Sequence, residues 1–581
     1  MTRSFDCGLV LIYNETVSCG FPVRFKRGMS EQFGGLLVIT LLEKLNGRKT
    51  VLMLFLLFAP LLLMFLGTPS LWDQDESVYG EISRQMAVRH DYLGAYYNDQ
   101  FRPEKPPLNY WINVFCYRIF GMNEFATRLG SCLFGLFGLI LVYLIAKRLF
   151  NKRTGILACL MLGTAFLYFV ETQLAIIDTT LSFFIALTLY WFYIGYFEEK
   201  PQFLLWMGVP VGLGILAKGP VGLLLPAMVG LSCWLVFTFK FGYQPRRLFN
   251  RWLLGGLFVA AVISLPWYLL MWLQFGMRFI NEHFGYHMFR RFTTPIENHG
   301  GNWLYLFYYL FWLIIGFIPW TGQLWGSFQR AWQRWREPRF FFIGSWFILL
   351  FAFFSISQTK LPGYIVPIFP PVAVLLANWW DELFDHKHTS NLWIGMFVQF
   401  GVSSLFAMLL LVVGSQLPSG YGYAVGIFFL LPLSFIVSAL IIRYRTRRQA
   451  ANQIFFNVTF VTFYLVWAIF LGALIPVMEV YKPTKYLSQH VKKIVTPQDI
   501  VVSNIKNTFS APFYTGRHVE RINSQQAFLR MWHNNSRRVL ALVEKKTLQA
   551  LKNSNQLYYV LAQHGSGYLI SNRPPVGESK E

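Results

Sequence analysis

A chain of 581 residues that is 55% hydrophobic, 18% aromatic and only 14% charged is too apolar for an ordinary soluble domain. Its net charge of +23 would suit a nucleic-acid binder, yet the basic residues sit in short loops between apolar runs, which is where membrane topology places them. The six cysteines (Cys7, Cys19, Cys116, Cys132, Cys159 and Cys233) form no C-x-x-C and no Cys/His metal spacing, so they read as small apolar fillers.

Residues 1–49 lack a compact apolar region followed by a small-residue cleavage site, and they mix polar and apolar residues without period. They read as a poorly ordered cytoplasmic tail, or as an overlong start ahead of Met29. Thirteen apolar runs then follow, at 51–67, 127–146, 154–171, 179–197, 203–217, 220–239, 252–273, 303–320, 340–357, 362–380, 392–414, 423–442 and 456–479. A hydrocarbon core about 30 Å thick accepts segments of this kind as transmembrane helices. On one side, four short junctions carry four basic residues each, Lys147/Arg148/Lys152/Arg153, Lys240/Arg246/Arg247/Arg251, Arg330/Arg334/Arg336/Arg339 and Arg443/Arg445/Arg447/Arg448, and every second junction falls on that side. The positive-inside rule puts these four loops and the N-terminus in the cytoplasm, and an odd number of spans puts the C-terminus outside.

The first outer loop, 68–126, holds two amphipathic segments. Glu76 to Arg89 interleaves Val78, Ile82, Met86 and Val88 with charges, and Leu108 to Phe120 is aromatic and too short to span, which suits the membrane interface. From residue 480 the chain turns polar, with short β-type runs at Ile500–Ser503, Val539–Val543, Leu557–Leu561 and Gly567–Ser571 and a helix near Gln525–Trp532. The expected organisation is therefore an N-terminal tail (1–49), an α-helical polytopic membrane domain (50–480) and a small extracytoplasmic α/β domain (481–581).

Charges that persist at the ends of spans commonly mark sites. On the outer side these are Asp75-Glu76, Glu104-Lys105, Asp178 (after Glu171), Lys218, Arg290-Arg291, His299, and Lys360 with Tyr364. Each also has a structural explanation: Asp75 and Asp178 can cap helices, and Lys218, Arg291 and Lys360 can snorkel to the interface. Their crowding on one membrane face, with no internal repeat, argues against a transporter, whose charges would lie near the midplane between paired repeats.

The order and wording of the segments add a resemblance. Trp72-Asp73-Gln74-Asp75-Glu76-Ser77-Val78-Tyr79-Gly80-Glu81 and Glu104-Lys105-Pro106-Pro107-Leu108-Asn109-Tyr110-Trp111 are similar to segments of the GT-C membrane glycosyltransferases. The likeness is strongest to the family that transfers 4-amino-4-deoxy-L-arabinose to lipid A, a relative of the protein O-mannosyltransferases, and it continues through Asp178, Ala217-Lys218-Gly219, Leu265-Pro266-Trp267, Arg291, His299, Pro319-Trp320 and Lys360-Leu361-Pro362-Gly363-Tyr364. It implies a thirteen-helix GT-C fold in the bacterial inner membrane and an undecaprenyl-phosphate sugar as donor. It also implies lipid A as acceptor, the modification behind polymyxin resistance, with a protein acceptor as the alternative. The resemblance puts the catalytic role on Asp75, with Glu104 and Asp178 as further acids. It assigns the donor phosphate to Lys105, Arg291 and Tyr364, assisted by Lys218 and Lys360. Glu76, Tyr79 and His299 are candidate substrate contacts. A divalent cation, if one is used, would sit at Glu104, though no spacing demands it. A monomer among membrane lipids, with no nucleic-acid partner, completes the expectation.

Overall fold

The computed structural model describes residues 37–574 apart from residues 73 and 507 and the segments 291–292, 295–306, 386–389, 416–425, 446–447 and 480–481. Each expected apolar run coincides with a helix. Among the described residues nine helices are long and apolar enough to cross a membrane. A bent pair, Lys152–Thr164 and Phe166–Thr172, makes a tenth passage, with 68° between its halves. The other three runs correspond to shorter helices: Gly47–Leu63, the broken stretch Gln202–Lys218, and Tyr308–Gly316. One difference falls in the expected tail, where Leu37–Lys44 is helical. It is tied to the bundle by Thr50, whose hydroxyl donates to Leu42 O, and by Lys152, whose ammonium donates to Glu43 O.

Burial sorts the helices into centre and rim. The segment Pro362–Asp385 is 94% buried across its apolar window, so its Trp380, Leu376 and Val372 form the axis of the bundle. The Pro245–Arg290 segment is only 22% buried and turns Leu254, Phe258, Leu265 and Leu273 outward. A helix apolar all round and exposed is what a lipid solvent selects.

The connection after the first helix folds into the two expected elements. Asp75–Arg89 and Leu108–Phe120 are helices joined through a hairpin of β1 (Tyr96–Tyr97) and β2 (Gln100–Phe101), whose turn residues Asn98 and Asp99 take positive φ. Leu108–Phe120 leaves Phe115, Ile119 and Phe120 exposed, as an interface-lying helix should.

Residues 483–574 form a five-stranded mixed sheet of β3 (Ile500–Ser503), β4 (Glu520–Arg521), β5 (Val539–Glu544), β6 (Tyr559–His564) and β7 (Gly567–Ser571). The strand order is β4-β3-β5-β7-β6, with β3 parallel to both β4 and β5 and the last two pairings antiparallel. Helix Pro483–Ile494 packs Leu487 and Val491 on one face, against Leu540, Leu542 and Leu569. Helices Gln525–Asn534 and Lys545–Asn553 pack Phe528, Trp532 and Leu551 on the other, against Val502, Val539 and Ile570. Tyr514 locks this domain to the membrane bundle: its hydroxyl accepts from Leu71 N at 2.8 Å and donates to Glu124 Oε1 at 2.9 Å, and Lys485 reaches the same carboxylate at 2.6 Å.

Candidate active site

Asp75 and Glu76 are sequence neighbours with opposite fates. Glu76 is buried and spends both carboxylate oxygens on protein donors: Arg128 Nε and Nη2 at 2.7 and 2.8 Å, Trp72 N at 2.7 Å and Ala175 N at 2.8 Å. Arg128, itself fully buried, directs its remaining donors to the carbonyls of Leu66, Pro69 and Ser70. A buried ion pair holds only when every donor and lone pair is met, and this one is. Glu76 therefore pins the chain entering helix Asp75–Arg89 instead of offering itself to a substrate. The preceding Gln74 takes φ 77° and ψ −111°, a conformation costly for a residue with a Cβ. The clamp supports that strain, and Asp75 is carried to the lip of a cavity.

The cavity has a volume of about 360 Å³ and is walled by Asp75, Glu171, Asp178 and the segment from Thr359 to Tyr364. Three elements meet there. Asp178 lies in the first turn of helix Ile177–Tyr196 and pairs with Lys218, the last residue of helix Gly208–Lys218. Lys218 also stands 3.9 Å over the ring of Tyr364. The next residue, Gly219, has φ +77°, and a Cβ there would come within 2.3 Å of Met288; only glycine lets the chain turn away there.

Glu171 enters because its span is broken. At Ala165 the helix bends, and Phe166 N donates to Ile318 O of another segment, so the second half tilts and delivers Glu171 to the cavity wall. Glu171 is 6% exposed, and among the described residues its Oε2 has no hydrogen-bond partner. A Cβ on Gly363 would lie 2.7 Å from that oxygen, so the glycine makes room for the carboxylate.

Behind Asp75, on helices Asp75–Arg89 and Leu108–Phe120, Tyr79 and Tyr110 pack ring edge to ring face with centroids 6.0 Å apart. Burial first, then the Asp75 carboxylate, pushes the Tyr79 phenol well above its ordinary value, so it stays a hydrogen-bond donor. Glu104 and Tyr364 add to the same shift, which places Glu104 in the electrostatic neighbourhood of the cavity although it is not on its wall. Its carboxylate is held by Arg102, and His283 Nδ1 contacts the adjacent Pro103 O at 2.8 Å. Among the described residues no three His, Cys, Asp or Glu side chains converge as metal ligands.

Of the expected residues, the structure thus gathers Asp75, Asp178, Lys218, Tyr364 and Tyr79, with Glu104 and Lys105 on the adjoining loop. Lys360 differs: its ammonium donates to Ser355 O at 2.6 Å and to Ser357 O, closing the end of helix Pro338–Ile356. Arg291 and His299 lie outside the described residues. Arg128 is what sequence reading passes over, and Glu171 figures there only as preceding Asp178, with no role given to it. Nothing local distinguishes Arg128 from a snorkelling cation, and Glu171 reaches the cavity only through a bend fixed by a contact 152 residues away.

Comparisons with known proteins give the family and the fold. A family model described as dolichyl-phosphate-mannose-protein mannosyltransferase matches residues 104–272. The undecaprenyl phosphate-alpha-4-amino-4-deoxy-L-arabinose arabinosyl transferase 2 of Proteus mirabilis is 31% identical over 398 residues, spanning 64% of this chain and 68% of that protein. The corresponding transferase of Yersinia pestis is 30% identical over 372 residues, 62% of this chain and 65% of its own length. The crystal structure of ArnT from Cupriavidus metallidurans bound to undecaprenyl phosphate superposes with a TM-score of 0.75 at 24% identity, over 92% of this chain and all of that one.

Proposed function

The chain belongs to the family of undecaprenyl-phosphate aminoarabinose transferases, and on that premise we propose that it moves 4-amino-4-deoxy-L-arabinose, or a closely related amino sugar, from undecaprenyl phosphate to a phosphate of lipid A. It is a multi-pass membrane glycosyltransferase that uses a polyprenyl-phosphate-linked sugar. The orientation argued from the four basic loops puts transfer on the periplasmic face of the inner membrane, with the N-terminus cytoplasmic and the C-terminus periplasmic. A reporter active only outside the cytoplasm should work after Glu581 and fail in the 240–251 loop; the reverse pattern contradicts this orientation.

Glu171 carries the amino-sugar reading. A buried carboxylate oxygen without a donor is expensive unless a ligand supplies one. With Asp178 already matched to Lys218, the Glu171 oxygen is the point on the cavity wall where a donor such as a sugar ammonium group would be met. During transfer the bond from sugar C1 to the phosphate oxygen breaks, an acceptor oxygen takes C1, and undecaprenyl phosphate leaves. Lys218, Tyr364 and Lys105, with Arg291, are the groups assigned to the departing phosphate, where cationic donors meet developing charge. Asp75 faces the oxocarbenium-like sugar. A phosphate acceptor is already anionic and needs no base, whereas a hydroxyl acceptor would hand its proton to Asp75. A divalent ion at Glu104 would have to share that carboxylate with Arg102.

The description of the matching family model favours a second acceptor, a protein hydroxyl. Mass spectrometry of lipid A and of exported proteins, from cells with and without the chain, separates the two. An aminopentose on lipid A phosphate that disappears with the chain supports the proposal; loss of a protein-linked sugar, with lipid A unchanged, overturns it in favour of the second.

A further inference from the structure

The C-terminal sheet has its own crevice, apart from the catalytic cavity. In its parallel part β3 lies between β4 and β5, so the chain leaves β3 toward one neighbour and later returns to pair β5 on the other side. Open α/β sheets bind ligands where the connections diverge in this way, outside the carboxyl ends of the strands. A cavity of about 410 Å³ opens at that place, walled by the residues that follow β3, β4 and β5.

Its rim is cross-linked before any ligand arrives. The Asn504 amide donates to Ile522 O at 2.5 Å, and its carbonyl accepts from the Thr547 hydroxyl at 2.5 Å, so one side chain ties together the ends of all three parallel strands. The charge is one-sided: Lys506, Arg521 and Lys546 face a single carboxylate, Glu544. Helices Gln525–Asn534 and Lys545–Asn553 both begin at the crevice and add the positive ends of their dipoles. Arg521 lies 4.0 Å over the ring of Phe509, which gives the wall an apolar face, and Asn523 and Gln525 supply carboxamides. Cations for a phosphate, one of them held by an aromatic ring, and amides for hydroxyls are a matched set.

We propose that this crevice binds a phosphate-bearing saccharide. Phe509 places it on the catalytic side of the bundle, since the Phe509 carbonyl accepts from the Tyr97 hydroxyl at 3.0 Å and its side chain packs against the apolar cluster that contains Tyr79, Tyr97 and Tyr110. The saccharide can be the head group of a glycolipid in the adjoining leaflet or a soluble sugar phosphate. The site goes beyond the transfer reading, which stands whether or not the crevice is filled.

The test uses the full-length protein in phospholipid nanodiscs and a photoreactive diazirine derivative of glucosamine 1-phosphate, with the tagged unphosphorylated sugar as control. Cross-linked peptides are located by mass spectrometry. Labelling is expected in the segments around Phe509, Arg521 and Lys546, and should fall by about tenfold for each cation removed in Arg521→Ala and Lys546→Ala. Lys506→Glu, which lies outside the strands, should weaken labelling without touching the sheet, and covers the case in which the other variants misfold. Competition by untagged glucosamine 1-phosphate alone identifies a soluble ligand; competition by vesicles of a phosphorylated glycolipid identifies a head group. Equal labelling by the neutral sugar, equal competition by inorganic phosphate, labelling only at the catalytic cavity, or full labelling of Lys506→Glu would each overturn the proposal.

Discussion

The two ends of the helical bundle treat charge in opposite ways. At the end formed by the basic loops, carboxylates are answered by arginines and amides. Asp381 accepts from Arg153, from Asn151 at 2.5 Å and from Thr154 at 2.7 Å; Glu382 is shared by Arg330 and Arg334; and Glu198 pairs with Arg148. At the cavity end Glu76 is equally saturated and Asp178 pairs with Lys218, yet Glu171 on the same wall as Asp75 and Asp178 keeps an oxygen that no described residue serves. The first arrangement interlocks helices. The second leaves one buried carboxyl oxygen unmet at the wall of a cleft, where a ligand's donor can reach it.

Neutralising a carboxylate should therefore have opposite consequences at the two ends. Asp381→Ala should have the largest effect on folding. It removes a side chain 6% exposed that joins helices Lys152–Thr164 and Phe369–Asp385, and leaves Arg153 without its main partner, at a cost of about 3 kcal/mol. Thermal unfolding in detergent should show it, while turnover per folded molecule stays near normal. Glu171→Gln should do the reverse: stability unchanged or raised, and transfer of the amino-sugar donor reduced about tenfold to a hundredfold, the worth of a charge-assisted contact of about 1.5–3 kcal/mol. A donor whose amino group is replaced by hydroxyl should lose no more than the ordinary hydrogen bond does. If Glu171→Gln destabilises the fold and spares the amino sugar, the contrast between the ends fails. Smallest should be Arg148→Ala, whose pair with Glu198 is about a third exposed on each side and worth at most about 1 kcal/mol.

Much of this was legible in the sequence, for reasons that differ by region. The thirteen helices followed from apolar run length, because a lipid solvent forces backbone bonds to close within each segment. The helices at Asp75–Arg89 and Leu108–Phe120 and four of the sheet strands followed from periodicity. Asp75, Asp178 and Lys218 were singled out because charge at a span end is unusual enough to notice, and Tyr364 because it stands near Lys360 at the mouth of a span; the structure brings these four together without Lys360. What escaped depends on long-range contacts. Glu76 looked like a substrate group until Arg128 and Ala175, distant in sequence, took its oxygens. Lys360 looked like a phosphate ligand until its ammonium was seen to close a helix end. The strand pair Tyr96–Phe101 was too short to carry a period, and β4 is two residues long.

The central claim is that Asp75 acts on the reacting sugar instead of merely beginning a helix. It is tested most directly by single-turnover transfer with purified Asp75→Asn, undecaprenyl-phosphate aminoarabinose and lipid A, alongside donor binding. The clamp of Glu76 and Arg128 remains intact in this variant, and an amide serves a helix start nearly as well as a carboxylate. The account predicts a folded protein that binds donor yet transfers about two to three powers of ten more slowly, because the carboxylate facing the cationic sugar is gone. Transfer by Asp75→Asn at close to the wild-type rate would contradict it and leave Asp178 as the acid to examine.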